Sequence, residues 1–134
     1  MDIQINDDLY KALVEYNSKL DKNFGNTVLN LAPLNKKYPY TIFSTIRDIG
    51  VDNNCYGKRS SKGYRLDIYA QDKGTKYNRL EIAEQIAQNL DKFMSKVGLQ
   101  RVSYNFFDVE NEGTTYHIII TYSANYDEYR RKFY

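Results

Sequence analysis

The stretch Tyr64 to Gly98, YRLDIYAQDKGTKYNRLEIAEQIAQNLDKFMSKVG, changes its hydrophobic period part-way, and that change decides the fold. Tyr64, Leu66, Ile68 and Ala70 fall on one side of an extended chain, with Arg65, Asp67, Tyr69 and Gln71 on the other. A period of two predicts a half-buried strand. Further on, Leu80, Ala83, Ile86, Ala87, Leu90, Phe93, Met94 and Val97 recur at steps of three and four, leaving Glu81, Glu84, Gln88, Asp91, Lys92 and Lys96 for the opposite face. That spacing predicts a long amphipathic helix. Gly98 stands where a left-handed cap closes a helix, and Asp72, Gly74 and Thr75 supply the turn and an N-cap at its start.

Working outward toward the N-terminus, Asn6 or Asp7 caps a first helix expected from about Asp7 to Leu20, whose apolar stripe is Leu9, Leu13, Tyr16 and Leu20. Residues 23–37 read as an ordered connection, because Gly25, Pro33 and the Asn-Lys-Lys run interrupt Val28, Leu29, Leu31 and Leu34. Tyr38-Pro39-Tyr40 opens a strand expected to end at Ile49, with Tyr40, Ile42 and Ile46 on one face and Phe43 opposite. The segment 50–63, GVDNNCYGKRSSKG, is rich in Gly, Asn and Ser, so this strand and Tyr64 to Gln71 are expected to form a hairpin with a long loop at its tip. Such a loop is longer than hairpin closure needs, which gives it the reach to touch a partner.

Beyond the long helix, Arg101 to Val109 and Thr115 to Ala124 alternate as strands around a turn at Glu110-Asn111-Glu112-Gly113. Tyr116, Ile118, Ile120 and Tyr122 share one face of the last strand. Ile119 breaks the polar pattern of the other, a sign that this second face is also partly covered. The tail 125–134 alternates aromatics with charge. The expected architecture is a single α+β domain over 1–134: N-terminal helix, β-hairpin, long helix, β-hairpin, with a four-stranded antiparallel-rich sheet packed by the helices.

Composition narrows the function classes. The 19 Lys and Arg against 17 Asp and Glu leave a net charge of +2, too little to drive general nucleic-acid binding. Fourteen tyrosines and no tryptophan supply rings that bury their bodies while keeping a hydroxyl near water, a composition suited to interfaces. The single Cys55 cannot form an internal disulfide, and the start MDIQINDD lacks the features of a signal peptide. No run approaches the roughly 20 apolar residues of a membrane span. The expectation is a soluble protein made inside the cell, with no membrane partner.

The inventory for chemistry is thin. His117 lies within a strand with no companion motif, and Cys55 sits in a Gly/Asn-rich segment without a nucleophile signature. Asp48, Asp52, Asn53 and Asn54 make an oxygen-rich group that reads as turn chemistry, and no metal or phosphate-loop motif occurs. No catalytic, metal-binding or cofactor residues are therefore assigned. Two stretches remain as contact candidates. Tyr56, Lys58, Arg59 and Lys62, with Tyr64 and Arg65, offer cations among aromatics that suit phosphates and bases. Tyr126, Tyr129, Arg130, Arg131, Phe133 and Tyr134 offer the residue types favoured at protein interfaces, or for packing back onto the chain's own sheet.

The order of these parts resembles the tail-terminator or tail-completion proteins of long-tailed bacteriophages. The similarity runs over the N-terminal helix, YPYTIF before a hairpin, the long tip of that hairpin, the strand YRLDIYAQD feeding the helix RLEIAEQIAQNL, and a final pair of strands ending HIIITYSA. The resemblance implies a non-enzymatic structural protein of the virion tail or neck, assembled in the bacterial host cytoplasm. It implies a homo-oligomeric ring, hexameric by expectation, at the head-proximal end of the tail tube. Such a ring contacts the tail-tube protein and the head connector or head-completion protein, and its basic segment faces DNA nonspecifically in the lumen. Two alternatives stand beside it: a head-completion or connector adaptor, and a small nucleic-acid-binding regulator using Lys58, Arg59, Lys62 and Arg65.

Overall fold

The computed structural model describes residues 4–20, 24–34, 37–54, 57–72, 78–109 and 115–134, with side chains for all of these except 51–54, 57, 58 and 109. Cys55, Tyr56, Gly74, Thr75 and the turn at 110–113 lie outside the described residues. In chain order the elements are α1 (Gln4–Ser18), β1 (Thr27–Leu29), β2 (Tyr40–Asn54), β3 (Gly57–Ala70), α2 (Arg79–Val97), β4 (Gln100–Val109), β5 (Thr115–Asp127) and β6 (Lys132–Phe133). The class is α+β, but the expected four-stranded sheet of two hairpins is corrected to one six-stranded, mostly antiparallel sheet, ordered β1-β2-β3-β5-β4 with β6 on β5. Three strands precede α2 and three follow it.

The two extra strands are short. β1 pairs parallel to β2 over Thr27 to Leu29, and three residues are too few for alternation to register. β6 exists because the chain turns back after β5: the Asp127 carboxylate accepts the backbone N–H groups of Tyr129 and Arg130, and Arg131 takes a left-handed φ of 53°. Side-chain capping of this kind is a turn signal that Asp127 carried in the sequence.

The expected long loop at 50–63 is also corrected. β2 runs on to Asn54 and β3 starts at Gly57, and the ladder between them pairs Asn54 with Gly57. Loop-type composition yields here because β3 is central: Arg59 to Gly63 also pair with Ser123 to Asp127 of β5. The hairpin is not uniform. A register shift between Thr45 and Arg47 makes Ile46 the extra residue of a β-bulge, and a second lies between Gly50 and Asp52. Before the first bulge the odd-numbered residues of β2 face the helices, as buried Phe43 does; after it the even-numbered ones do, as Asp48 does opposite Lys62. The expected Tyr40, Ile42, Ile46 stripe is thus not the core face.

α1 and α2 cover one face of the sheet. Tyr64, Leu66, Ile68 and Ala70 of β3 and Tyr116, Ile118, Ile120 and Tyr122 of β5 form one core cluster with Leu9 and Leu13 of α1 and Ile82, Ala83, Ile86, Ala87, Leu90 and Met94 of α2. α2 is capped by Asn78, whose Oδ1 accepts the Glu81 N–H at 2.8 Å, while Asp72 accepts the Arg79 N–H at 2.7 Å. At its other end Gly98, φ 105°, donates to Ser95 and Leu99 donates to Met94, the paired bonds of a Schellman motif. α1 is fastened by polar contacts as well as by leucines. Asn17 Nδ2 donates to the Asn26 carbonyl at 2.8 Å, and Thr41 Oγ1 donates to Asn26 Oδ1 at 3.1 Å, joining α1, the approach to β1, and β2.

Candidate functional site

The helix-free face of the sheet carries the most unusual arrangement in the described chain. Alternation sends Arg65, Asp67 and Tyr69 of β3 and His117, Ile119 and Thr121 of β5 to this side, opposite the core positions. The registers then align Tyr40, Tyr69, His117 and Phe107 directly across β2, β3, β5 and β4. Their rings form a continuous row: centroids are 4.9 Å apart for Tyr40–Tyr69, 4.1 Å for Tyr69–His117 and 6.1 Å for Phe107–His117, and Tyr38 extends it at 5.3 Å from Tyr40. The next row toward the hairpin end is Ile42, Asp67, Ile119 and Asn105, followed by Ser44, Arg65, Thr121 and Ser103. The face is therefore apolar at one end and polar at the other.

Asp67 joins the two parts. It accepts from Arg65 Nε and Nη2, both at 2.8 Å, and is 2.9 Å from His117 Nε2. An ionised carboxylate only accepts, so Nε2 carries a proton. Burial opposes the charge on Asp67, but the bonds from His117 and Arg65 outweigh it and hold the carboxyl below its ordinary value. The same contact raises the Arg65 pKa. Tyr69 stacks on His117 with 14° between ring planes and on Tyr40 with 23°, so the faces of Tyr69 and one face of His117 are occupied within the row. A row of this kind presents ring edges and aliphatic side chains, which suits packing against another protein better than stacking on bases.

At the polar end, Arg47 lies over Gly63. A Cβ on Gly63 would sit 3.2 Å from Arg47 Cβ and 3.1 Å from Ile46 Cγ1, so glycine permits this close approach. Arg47 Nε donates to Ser61 Oγ at 3.0 Å, beside a polar depression of about 230 Å³ lined by Ser61, Gln100, Ser123, Asn125 and Tyr134.

The contact candidates read from the sequence divide sharply. Lys62 is fully buried on the helix side of the sheet, where its Nζ is 2.8 Å from Asp48 Oδ2 and 5.3 Å from the Tyr126 ring centroid. Tyr126 is fully buried too, and Phe133 packs on it at 5.2 Å. These residues hold the interior together. Asn6, expected at a helix start, instead reaches from within α1 to the same group: its Nδ2 donates to Asp48 Oδ2 at 2.7 Å and its Oδ1 accepts from Tyr64 Oη at 2.6 Å. Arg59, Tyr129, Arg130, Arg131 and Tyr134 are at the surface. Arg59 and Tyr134, from the two separate candidate stretches, meet with the guanidinium 5.6 Å from the ring centroid. Lys58 lies in β3, and its side chain, like all of Tyr56, is outside the description.

Neither a protein-family model nor a curated protein matches the chain. Among the described residues no group of three or more His, Cys, Asp and Glu is placed to hold a metal ion, and no helix is long and apolar enough to cross a membrane. The aromatic row went unassigned in the sequence because register places its members together. Ile119, apolar on the polar side of its strand, was the one local sign of it.

Proposed function

We propose that this chain is a structural assembly subunit of a long-tailed phage virion, forming a ring at the head-proximal end of the tail tube that terminates the tube and joins it to the head connector. The observation that carries the reading is the helix-free sheet face, where half-exposed Phe107 and partly exposed His117 and Tyr69 continue a cross-strand row from buried Tyr40, beside partly exposed Ile42 and Ile119. Partly exposed aromatic and aliphatic side chains grouped on one face suit contact with another protein. The resemblance of the segments YPYTIF, YRLDIYAQD, RLEIAEQIAQNL and HIIITYSA to tail terminators supports the same reading, with a hexamer as the expected ring.

The nucleic-acid regulator reading draws on four cations, of which Lys62 is buried against Asp48 and Arg65 is held by Asp67. Arg59, at the surface, remains for nonspecific contact with DNA passing through a ring.

Electron microscopy of the purified protein mixed with tail tubes tests the proposal. Rings capping one end of the tube are the expected result. A protein that never decorates tube ends contradicts it, and binding to isolated portal complexes instead moves the assignment to a head-completion adaptor.

A further inference from the structure

Both outer edges of the sheet carry long free stretches. Of the 15 residues of β2, only Tyr40 to Ile42 pair with β1, so the stretch from Phe43 to Asn54 meets no strand on its outer side among the described residues. Among the described residues β4 pairs with β5 alone, through nine of its 10 residues. Unpaired strand edges are templates for further pairing, and proteins that stay monomeric blunt them with charges, above all Lys, with Pro, with bulges or with covering elements. Neither strand contains a Lys or a Pro. Instead, Val102 and Phe106 on β4 are 65% and 62% exposed, and Ile46 and Ile49 on β2 are 53% and 56% exposed. The bulges at Ile46 and Val102 twist each edge locally while leaving the extra residue's apolar side chain in solvent.

Strand direction makes these edges complementary. β1, β2 and β5 run one way, and β3 and β4 run the other. The two outer edges therefore have opposite polarity. A second copy generated by rotation about an axis along the strands keeps its strand directions, so its β2 approaches β4 of the first as an antiparallel partner. The lengths agree, since the ten residues of β4 span about 34 Å of ladder and the free part of β2 is slightly longer.

We infer that copies of this chain join edge to edge, the free edge of β4 in one pairing antiparallel with the Phe43–Asn54 stretch of β2 in the next. The inference rests on the ring-forming reading above and supplies its contact. Two different surfaces meet at each joint, which is the heterologous arrangement that closes into a ring when the rotation per step divides a full turn. On the order of ten backbone hydrogen bonds form per joint, and Val102, Phe106, Ile46 and Ile49 leave water.

Two variants test it: V102K/F106K blocks β4, and I46K/I49K blocks β2. All four positions are exposed, so each variant is expected to keep the wild-type circular dichroism and unfolding midpoint. Analytical ultracentrifugation of either alone is expected to show self-association weakened by about a hundredfold or more, because ammonium groups would have to leave water at the joint. Mixed together, the two variants retain one intact β4 edge and one intact β2 edge, so they are expected to form a heterodimer and nothing larger. Rings that persist in either variant overturn the edge pairing while leaving the ring reading standing. A β2-blocked chain that still dimerises overturns it in favour of a symmetric β4–β4 contact. Wild-type protein that stays monomeric at millimolar concentration yet caps tube ends overturns edge pairing alone; wild-type protein that does neither overturns both readings.

Discussion

Lys62 and Asp67 show how the same polar chemistry serves two purposes on opposite faces of one strand. Lys62, buried with Asp48, Asn6 and Tyr126, ties α1 to the hairpin and to the end of β5. Replacing it with Met keeps the aliphatic volume but strands the Asp48 charge, so K62M is expected to lose about 3 kcal/mol in denaturant unfolding. D48N/K62M is expected to recover most of that, and recovery in the double-mutant cycle separates lost pairing from lost packing. Asp67 has a pH signature. Its folded pKa lies below the unfolded value, so the stability it contributes is complete above about pH 4 and is lost as pH falls through the folded value. D67N is therefore expected to be less stable than wild type at neutral pH, with the gap closing on acidification. A gap that stays constant down to pH 3 in paired urea titrations would contradict this account of Asp67.

The elements are held in place by their ends and irregularities as much as by their faces. Asn78 satisfies an orphan N–H in the first turn of α2, and N78A is expected to cost about 1 kcal/mol in thermal or chemical unfolding. Asp72 contributes from outside the helix through the Arg79 N–H, and Arg79 itself bridges to Asp108 on β4 at 2.7 Å, so the start of the helix is anchored to the sheet. Gly63 sits beneath the bulge at Ile46. A methyl group there requires Arg47 Cβ, which is fixed to the backbone, to give by a few tenths of an ångström. G63A is expected to destabilise the hairpin by about 1 kcal/mol, with fast amide hydrogen exchange appearing first around residues 45–48.

In the whole molecule, both helices cover one face of the sheet and leave the other without a helix. Phe107 ends the aromatic row and is half exposed, so F107E is expected to change folding stability by less than about 1 kcal/mol while abolishing tube-end binding. Equal loss of stability and binding would assign Phe107 to the fold instead. In the assembly proposed above, the edges and the face serve different joints, the edges between copies and the face toward the tail or head component.

Periodicity in the sequence determined that residues 64–70 form a strand and 79–97 a helix, because each buries its apolar side locally whatever its neighbours are. It also determined the buried face of β5, and the capping residue Gly98. The tertiary structure decided the rest. Pairing between β3 and β5, some 60 residues apart, drew a Gly-, Ser- and Asn-rich segment into the ladder; no local propensity reports a partner that distant. The same pairing buried Lys62 and Tyr126, whose residue types read as surface chemistry. It aligned Tyr40, Tyr69, His117 and Phe107 into a row because register is a relation between strands, set when the core faces of all of them close together over the helices.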